Sequence, residues 1–146
     1  MVGDIMTFEE WVKKYEEKTG DEHYLPDGFV TLYDAEKGYA QYGVGKNMNR
    51  LYVYECCGDG RHWYDVGVKI CRDNKIPYMV TICTRSLIPY LRLLRFKITK
   101  KDKQSCRHDG WKLEGVNHLG KRFFVFAAWW DKRKQENAYY VVNEVI

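Results

Sequence analysis

A short glycine-rich segment, residues 58–61 with the sequence Gly-Asp-Gly-Arg, has the composition of a turn that binds an anion. A run of strand-forming residues precedes it and a segment with helical spacing follows it. The first N–H groups of a helix lack partners within the helix, and with the helix dipole they attract a phosphate. Gly58 and Gly60 would let the phosphate approach the backbone closely, and Arg61 adds a positive charge. An ordinary tight turn before a helix is the alternative interpretation.

The elements that position this turn are predicted from hydrophobic spacing and from the residues that interrupt it. In chain order they are a strand over 50–55, a helix with Trp63, Val66, Ile70 and Cys71 on one face, a strand over 78–84, a helix with Leu87, Tyr90, Leu91 and Leu94 at helical spacing, and a strand that opens at Phe96. Pro89 falls in the first turn of the second helix, where proline is tolerated.

The remainder of the chain predicts one further helix and several antiparallel strands. Thr7 and Glu10 form a capping-box pattern at the start of a helix that ends at Gly20. A hairpin follows over 29–45, residues 100–110 are polar and turn-like, and strands are predicted near 111–114, 122–130 and 138–146. The predicted fold is therefore a single α+β domain over 1–146, with a mixed, mostly antiparallel sheet flanked by helices.

Composition narrows the class of protein. The chain has 146 residues, a net charge of +4 and 16% aromatic residues. This charge favours anionic ligands but is below that of a dedicated nucleic-acid binder. The five cysteines have no CxxC spacing, so reduced thiols and no metal site are predicted. The longest apolar run, 123–130, is too short to span a bilayer, and the N-terminus carries acids where a signal peptide needs bases. A cytoplasmic location is expected.

The order of elements from 51 to 99 resembles the acetyl-CoA-binding half of the GNAT acetyltransferases. In that family an R/Q-x-x-G-x-G/A loop at a helix N-terminus binds the pyrophosphate of coenzyme A, and Gly58 and Gly60 match its glycines. Residues 87–98 are similar to the family's helix A-x-x-L-Y-x-x-x-G-F, with Phe96 at its last position. Leu91 stands where the family often has its general-acid tyrosine, and Glu55 stands at the Arg/Gln position of the loop.

This resemblance implies a GNAT-like fold, acetyl-CoA as cosubstrate and transfer of its acetyl group to an amine. The implied catalytic residues are Glu55 or His62 as the base that takes the amine proton and Tyr90, next to Leu91, as the acid. Each of the three also has a structural interpretation: a solvated strand end, a first-turn helix residue and a core tyrosine. The implied cofactor-binding residues are Val53, Cys57, Gly58, Asp59, Gly60, Arg61, Ser86 and Arg92.

Two other functions remain open from the sequence. Residues 85–103 contain seven basic side chains and one acidic side chain, Asp102. Such a cluster is typical of a solvated face, of a nucleic-acid-binding surface or of contacts to the phosphates of coenzyme A. The second alternative is a catalytically degenerate GNAT-like module that binds a protein through exposed aromatics. In overall character the chain is similar to small proteins of bacterial viruses that block host functions, which would place it in the host-cell cytoplasm.

Overall fold

The protein is described by a computed structural model over residues 5–46, 49–83, 87–104 and 110–146, with residues 103, 104, 110 and 111 described by their backbone. It has the predicted α+β class, with three helices and one eight-stranded mixed sheet. The elements are α1 (Phe8–Thr19), β1 (Val30–Asp34), β2 (Gly38–Val44), β3 (Arg50–Gly58), α2 (Gly60–Asp73), β4 (Tyr78–Cys83), α3 (Leu87–Leu93), β5 (Lys97–Gln104), β6 (Gly110–Val116), β7 (Arg122–Asp131) and β8 (Glu136–Glu144).

The strands lie in the spatial order β1-β2-β3-β4-β8-β7-β6-β5. Among the strand pairs of the described chain, β3 and β4 are the one parallel pair, joined by α2 as a crossover helix. The last strand, β8, enters the sheet between β4 and β7, antiparallel to both. The sheet is therefore two antiparallel halves, β1–β3 and β4 to β8, that meet at the parallel pair.

The helices cover the two faces of the sheet unequally. In β2, Tyr39 packs with Trp11 of α1, whereas the next residue, Ala40, packs with Trp63 of α2. Since successive residues of a strand point to opposite faces, α1 and α2 lie on opposite sides of the sheet. Leu91 of α3 belongs to the same core as α2. None of the described helices is long and apolar enough to cross a membrane.

Local sequence signals explain the helix ends. The capping box at Thr7 and Glu10 is confirmed, with each side chain accepting a hydrogen bond from the other residue's backbone N–H. Gly20 ends α1 in the left-handed conformation, with φ of 74°. The predicted hairpin over 29–45 is also confirmed as β1 and β2.

The prediction that residues 100–110 are turn-like is wrong for residues 100–104. These residues continue β5, which pairs antiparallel with β6 from Lys97 to Gln104. Lys97, Lys100 and Lys101 are all exposed. A strand at the edge of a sheet needs no alternating apolar residues, and lysines there hinder pairing with other chains. The polar sequence therefore hid an edge strand.

Candidate functional site

The two parallel strands separate before they end. Pairing between β3 and β4 stops at Val53 and Thr81, although β3 continues to Gly58 and β4 to Cys83. Over these last residues β3 keeps its pairing with β2, and β4 keeps its pairing with β8. Within the described residues, the facing edges of 54–58 and 82–83 therefore pair with no strand.

A β-bulge in β3 accompanies the separation. Ala40 of β2 pairs with Cys56, but Tyr42 pairs with Val53, so β3 carries one residue more than β2 over this interval. A bulge bends its strand and increases the local twist. This bend turns β3 away from β4. Because β4 stays paired with β8, a gap opens in the middle of the sheet.

A cavity of about 590 Å³ occupies this gap. The ends of β3 and β4 form its walls. On one face of the sheet its lining comes from α2 and α3, and on the other face from α1 and the turn between β7 and β8. The main contributors are Gly60, Trp63, Tyr64, Tyr90, Leu93 and Leu94 on the first face, and Tyr15, Lys18, Thr19, Asp21, Glu22, Trp129, Asp131 and Lys134 on the second. The described lining of the cavity therefore comes from both faces of the sheet.

Tyr90 reaches the cavity at the point where the strands separate. Its hydroxyl lies 2.8 Å from the Oγ1 of Thr81, the last residue of β4 that pairs with β3. Leu91, by contrast, is 1% exposed and packs in the core. Adjacent helical residues differ in direction by about 100°, so only one of the two can face the gap. The tyrosine that the structure brings to the cavity is thus Tyr90.

Gly58 and Gly60 differ in how strictly their positions in the turn require glycine. Gly58 has φ of 106°, and a Cβ on it would lie 2.1 Å from the carbonyl oxygen of Lys37. Trp63 donates from Nε1 to the same carbonyl, at 2.8 Å, and so holds the start of α2 against the hairpin. Among the described residues, a Cβ on Gly60 would meet one side chain, Leu93, at 3.7 Å. Gly58 is therefore required by the backbone, whereas Gly60 lines the cavity with no close contact to the described residues.

The carboxylate of Asp59 occupies the N-terminus of α2. It accepts a hydrogen bond from the N–H of His62 at 3.1 Å and lies 3.4 Å from the Nζ of Lys37. The bond from the His62 amide, followed by the nearby Lys37, lowers the pKa of Asp59. Within the described chain, the N–H groups of Gly60 and Arg61 donate to no acceptor. The helix start thus retains two donors for an anion, but Asp59 caps the helix and does not fit as a phosphate ligand.

Glu55 is buried, with 2% of its side chain exposed, and its carboxylate receives four hydrogen bonds. Oε1 lies 2.8 Å from the Nδ1 of His23 and accepts from the hydroxyl of Tyr39 at 2.8 Å. Oε2 accepts from the N–H of Tyr24 at 2.8 Å and from the Nε2 of Gln41 at 3.3 Å. A carboxylate has about four acceptor positions, so these four donors occupy it fully. Glu55 lines the cavity, as a predicted site residue should, but its occupied acceptor positions do not fit the predicted role of proton acceptor. It ties the loop after α1 to the sheet.

The remaining predicted site residues divide between the cavity and the surface. Val53 and Cys57 line the cavity. His62 packs edge-on against Trp63, with ring centroids 4.7 Å apart, and is not among the described residues that line the cavity. Arg61 and Arg92 are exposed on α2 and α3. Ser86 lies outside the described residues. The structure therefore does not bring His62, the second predicted base, to the gap.

Several cavity residues were missed at the sequence level. Thr81 is the main example, and its signal was a threonine between the apolar residues Val80 and Ile82 of β4. Cys56 and Cys83 also line the cavity, next to the predicted Cys57, and all three are thiols rather than disulfides. Trp129 belongs to a strand far along the chain, and no local pattern links it to the glycine turn.

Comparison with known proteins finds no family model, no curated protein and no solved structure that matches this chain significantly. The function is therefore argued from the geometry of the gap and from the residues around it.

Proposed function

We propose that this protein is a GNAT-like N-acyltransferase that uses acetyl-CoA and acetylates an amine in the gap between β3 and β4. The observation that carries the proposal is the separation of the one described parallel strand pair around a cavity that is lined from both faces of the sheet. A thioester can enter such a cavity from one face and an amine from the other. The order strand, glycine turn, helix, strand, helix, strand around this gap is the arrangement in which the sequence resembles the GNAT family.

The unpaired strand edges suit the amide-containing arm of coenzyme A. Backbone groups of 54–58 and 82–83 that face the gap have no partner strand in the described chain. An extended ligand with amide groups can hydrogen-bond to such edges as an added strand does. The free N–H groups of Gly60 and Arg61 and the side chains of Arg61 and Arg92 would hold the phosphates.

The same residues suggest how transfer proceeds. The amine attacks the thioester carbonyl, so a C–N bond forms while the C–S bond breaks. Backbone N–H groups of β3 next to its bulge stabilise the negative charge that develops on the carbonyl oxygen. Tyr90 donates its proton to the departing thiolate, and Thr81 holds the tyrosine hydroxyl in position. The amine proton passes to water, since Glu55 is fully hydrogen-bonded.

We expect Tyr90→Phe to lower kcat by about 100-fold, because a positioned general acid contributes at least this much. The KM for acetyl-CoA should change by less than about threefold, since phenylalanine keeps the ring. The measurement is release of the coenzyme A thiol with a panel of primary amines. Tyr140→Phe is the matched control, because Tyr140 lies on β8 outside the cavity lining. Full activity of Tyr90→Phe would show that Tyr90 is not the general acid. If the wild type transferred acetyl to no amine of the panel, the proposed activity would be wrong.

We also expect Asp59→Asn to bind acetyl-CoA about three- to tenfold more tightly than the wild type. Asparagine preserves the helix cap, whereas the negative charge beside the phosphates disappears. Asp65→Asn removes an equal charge from the exposed side of the same helix and should leave the affinity unchanged. Isothermal titration of acetyl-CoA into the wild type, Asp59→Asn and Asp65→Asn gives the three affinities. Equal affinities would show that phosphates bind away from the start of α2.

A protein-binding module is the second candidate function. It is favoured by the exposed aromatics on the sheet face that α2 and α3 do not cover, where Phe126 is 38% and Trp129 is 40% exposed. Large exposed apolar groups often mark protein interfaces. Binding of acetyl-CoA separates the two candidates, because a degenerate module would not retain it.

A further inference from the structure

Arg133, in the turn between β7 and β8, connects this turn to the C-terminal end of α1. Its Nη1 donates to the carbonyl oxygen of Gly20 at 2.8 Å, and its Nη2 donates to that of Thr19 at 3.3 Å. Nη2 also contacts the carboxylate of Asp21. Carbonyls at the end of a helix attract a cation, and a Cβ added to Gly20 would lie 3.4 Å from the Nη1 of Arg133. One side chain thus makes three contacts with the end of α1.

These contacts bridge the gap in the sheet. The helix α1 packs on β2 and β3, in one half of the sheet, whereas Arg133 belongs to the β7–β8 turn of the other half. Residues on both sides of the contact line the cavity. Thr19 and Asp21 do so at the end of α1, and Asp131 and Lys134 do so at the β7–β8 turn. The contact therefore joins the two sides of the cavity lining on the α1 face, although Arg133 itself is not among the described lining residues.

We infer that Arg133 and its three partners form a clasp that controls access to the cavity from the α1 face. Under the proposed function this is the entrance for the amine, but control of access to the cavity does not depend on that function. The side chains of Arg133 and Asp21 are 54% and 41% exposed. Exposed ion pairs are weak and are screened by salt, so the clasp opens readily and opens more often at high ionic strength.

The cavity thiols allow a direct test. The full-length protein is treated with a bulky maleimide, and the labelling rate of each cysteine is followed by mass spectrometry of its peptides. Arg133→Ala should label Cys57, the cavity thiol that packs on the α1 face, about two- to fivefold faster than the wild type, the range expected for loss of an exposed ion-pair cluster. Raising NaCl from about 0.05 M to about 1 M should accelerate the wild type and leave the variant nearly unchanged.

Two controls separate opening of the clasp from general loosening of the fold. Lys132→Ala removes a charge from the same turn but none of the clasp contacts, and should label at the wild-type rate. Cys71 lies on the buried face of α2, outside the described cavity lining, and reports global unfolding. Faster labelling of Cys57 with Cys71 unchanged supports the clasp. Equal rates in Arg133→Ala and wild type, or acceleration that includes Cys71, would contradict it.

Discussion

Gly60→Trp is expected to weaken binding of acetyl-CoA by more than about 100-fold while the protein remains folded. Gly60 lines the cavity, and among the described residues a Cβ there meets Leu93 alone, at 3.7 Å, so the described part of the fold leaves room for a larger residue. The indole then fills the space that the proposal assigns to the cosubstrate, between α2 and α3. Isothermal titration gives the affinity, and the circular dichroism spectrum with a melting curve shows that the fold is intact.

Two other glycine substitutions serve as controls for this result. Gly60→Ala should bind nearly as the wild type does, because its methyl group makes an ordinary contact with Leu93. Gly58→Ala should destabilise the fold instead, since its Cβ would lie 2.1 Å from the Lys37 carbonyl at a φ that favours glycine. If Gly60→Trp binds acetyl-CoA with wild-type affinity, the cosubstrate does not pass this turn.

Glu55→Ala is expected to lower the free energy of unfolding by about 3–5 kcal/mol. The substitution leaves His23, Tyr39, Tyr24 and Gln41 without their common acceptor in a buried site, and stranding buried polar groups costs this much. For a chain of this size the melting temperature should fall by roughly 8–15 °C. Burial, and next the hydrogen bond to Glu55, raise the pKa of Tyr39, so this tyrosine stays a proton donor at neutral pH.

A matched substitution shows whether the effect is specific. Glu22 is an exposed glutamate in the same part of the chain, with no hydrogen bond or ion pair among the described residues. Glu22→Ala should change the stability by less than about 0.5 kcal/mol. Should Glu55→Ala melt within about 2 °C of the wild type, the four-donor network would not stabilise the fold and Glu55 would be available for proton transfer.

The order of elements around the turn could be predicted because local residues mark each boundary. Gly58 and Gly60 end a strand and begin a helix, Pro77 precedes β4, and Pro89 fits the first turn of α3. The capping box at the start of α1 is equally local. Such signals depend on residues that are close in sequence, so they can be recognised without knowledge of the rest of the fold.

The separation of β3 from β4 could not be predicted in this way. It depends on a bulge opposite β2 and on β8, which comes late in the chain and holds β4 in place. The hydrogen-bond partners of Glu55 likewise come from two other segments, the loop after α1 and β2, so its burial has no local signature. Helical spacing indicated Tyr90, but its contact with Thr81 could be identified only once the position of β4 in the sheet was known.

The most direct test of the central claim is hydrogen–deuterium exchange with and without acetyl-CoA. Amides on unpaired strand edges exchange readily, and a ligand that hydrogen-bonds to them protects them. We expect protection at residues 54–61 and 82–83, with no change in β6 and β7. No protection at millimolar acetyl-CoA, or protection confined to other strands, would show that the gap between β3 and β4 is not an acyl-CoA site.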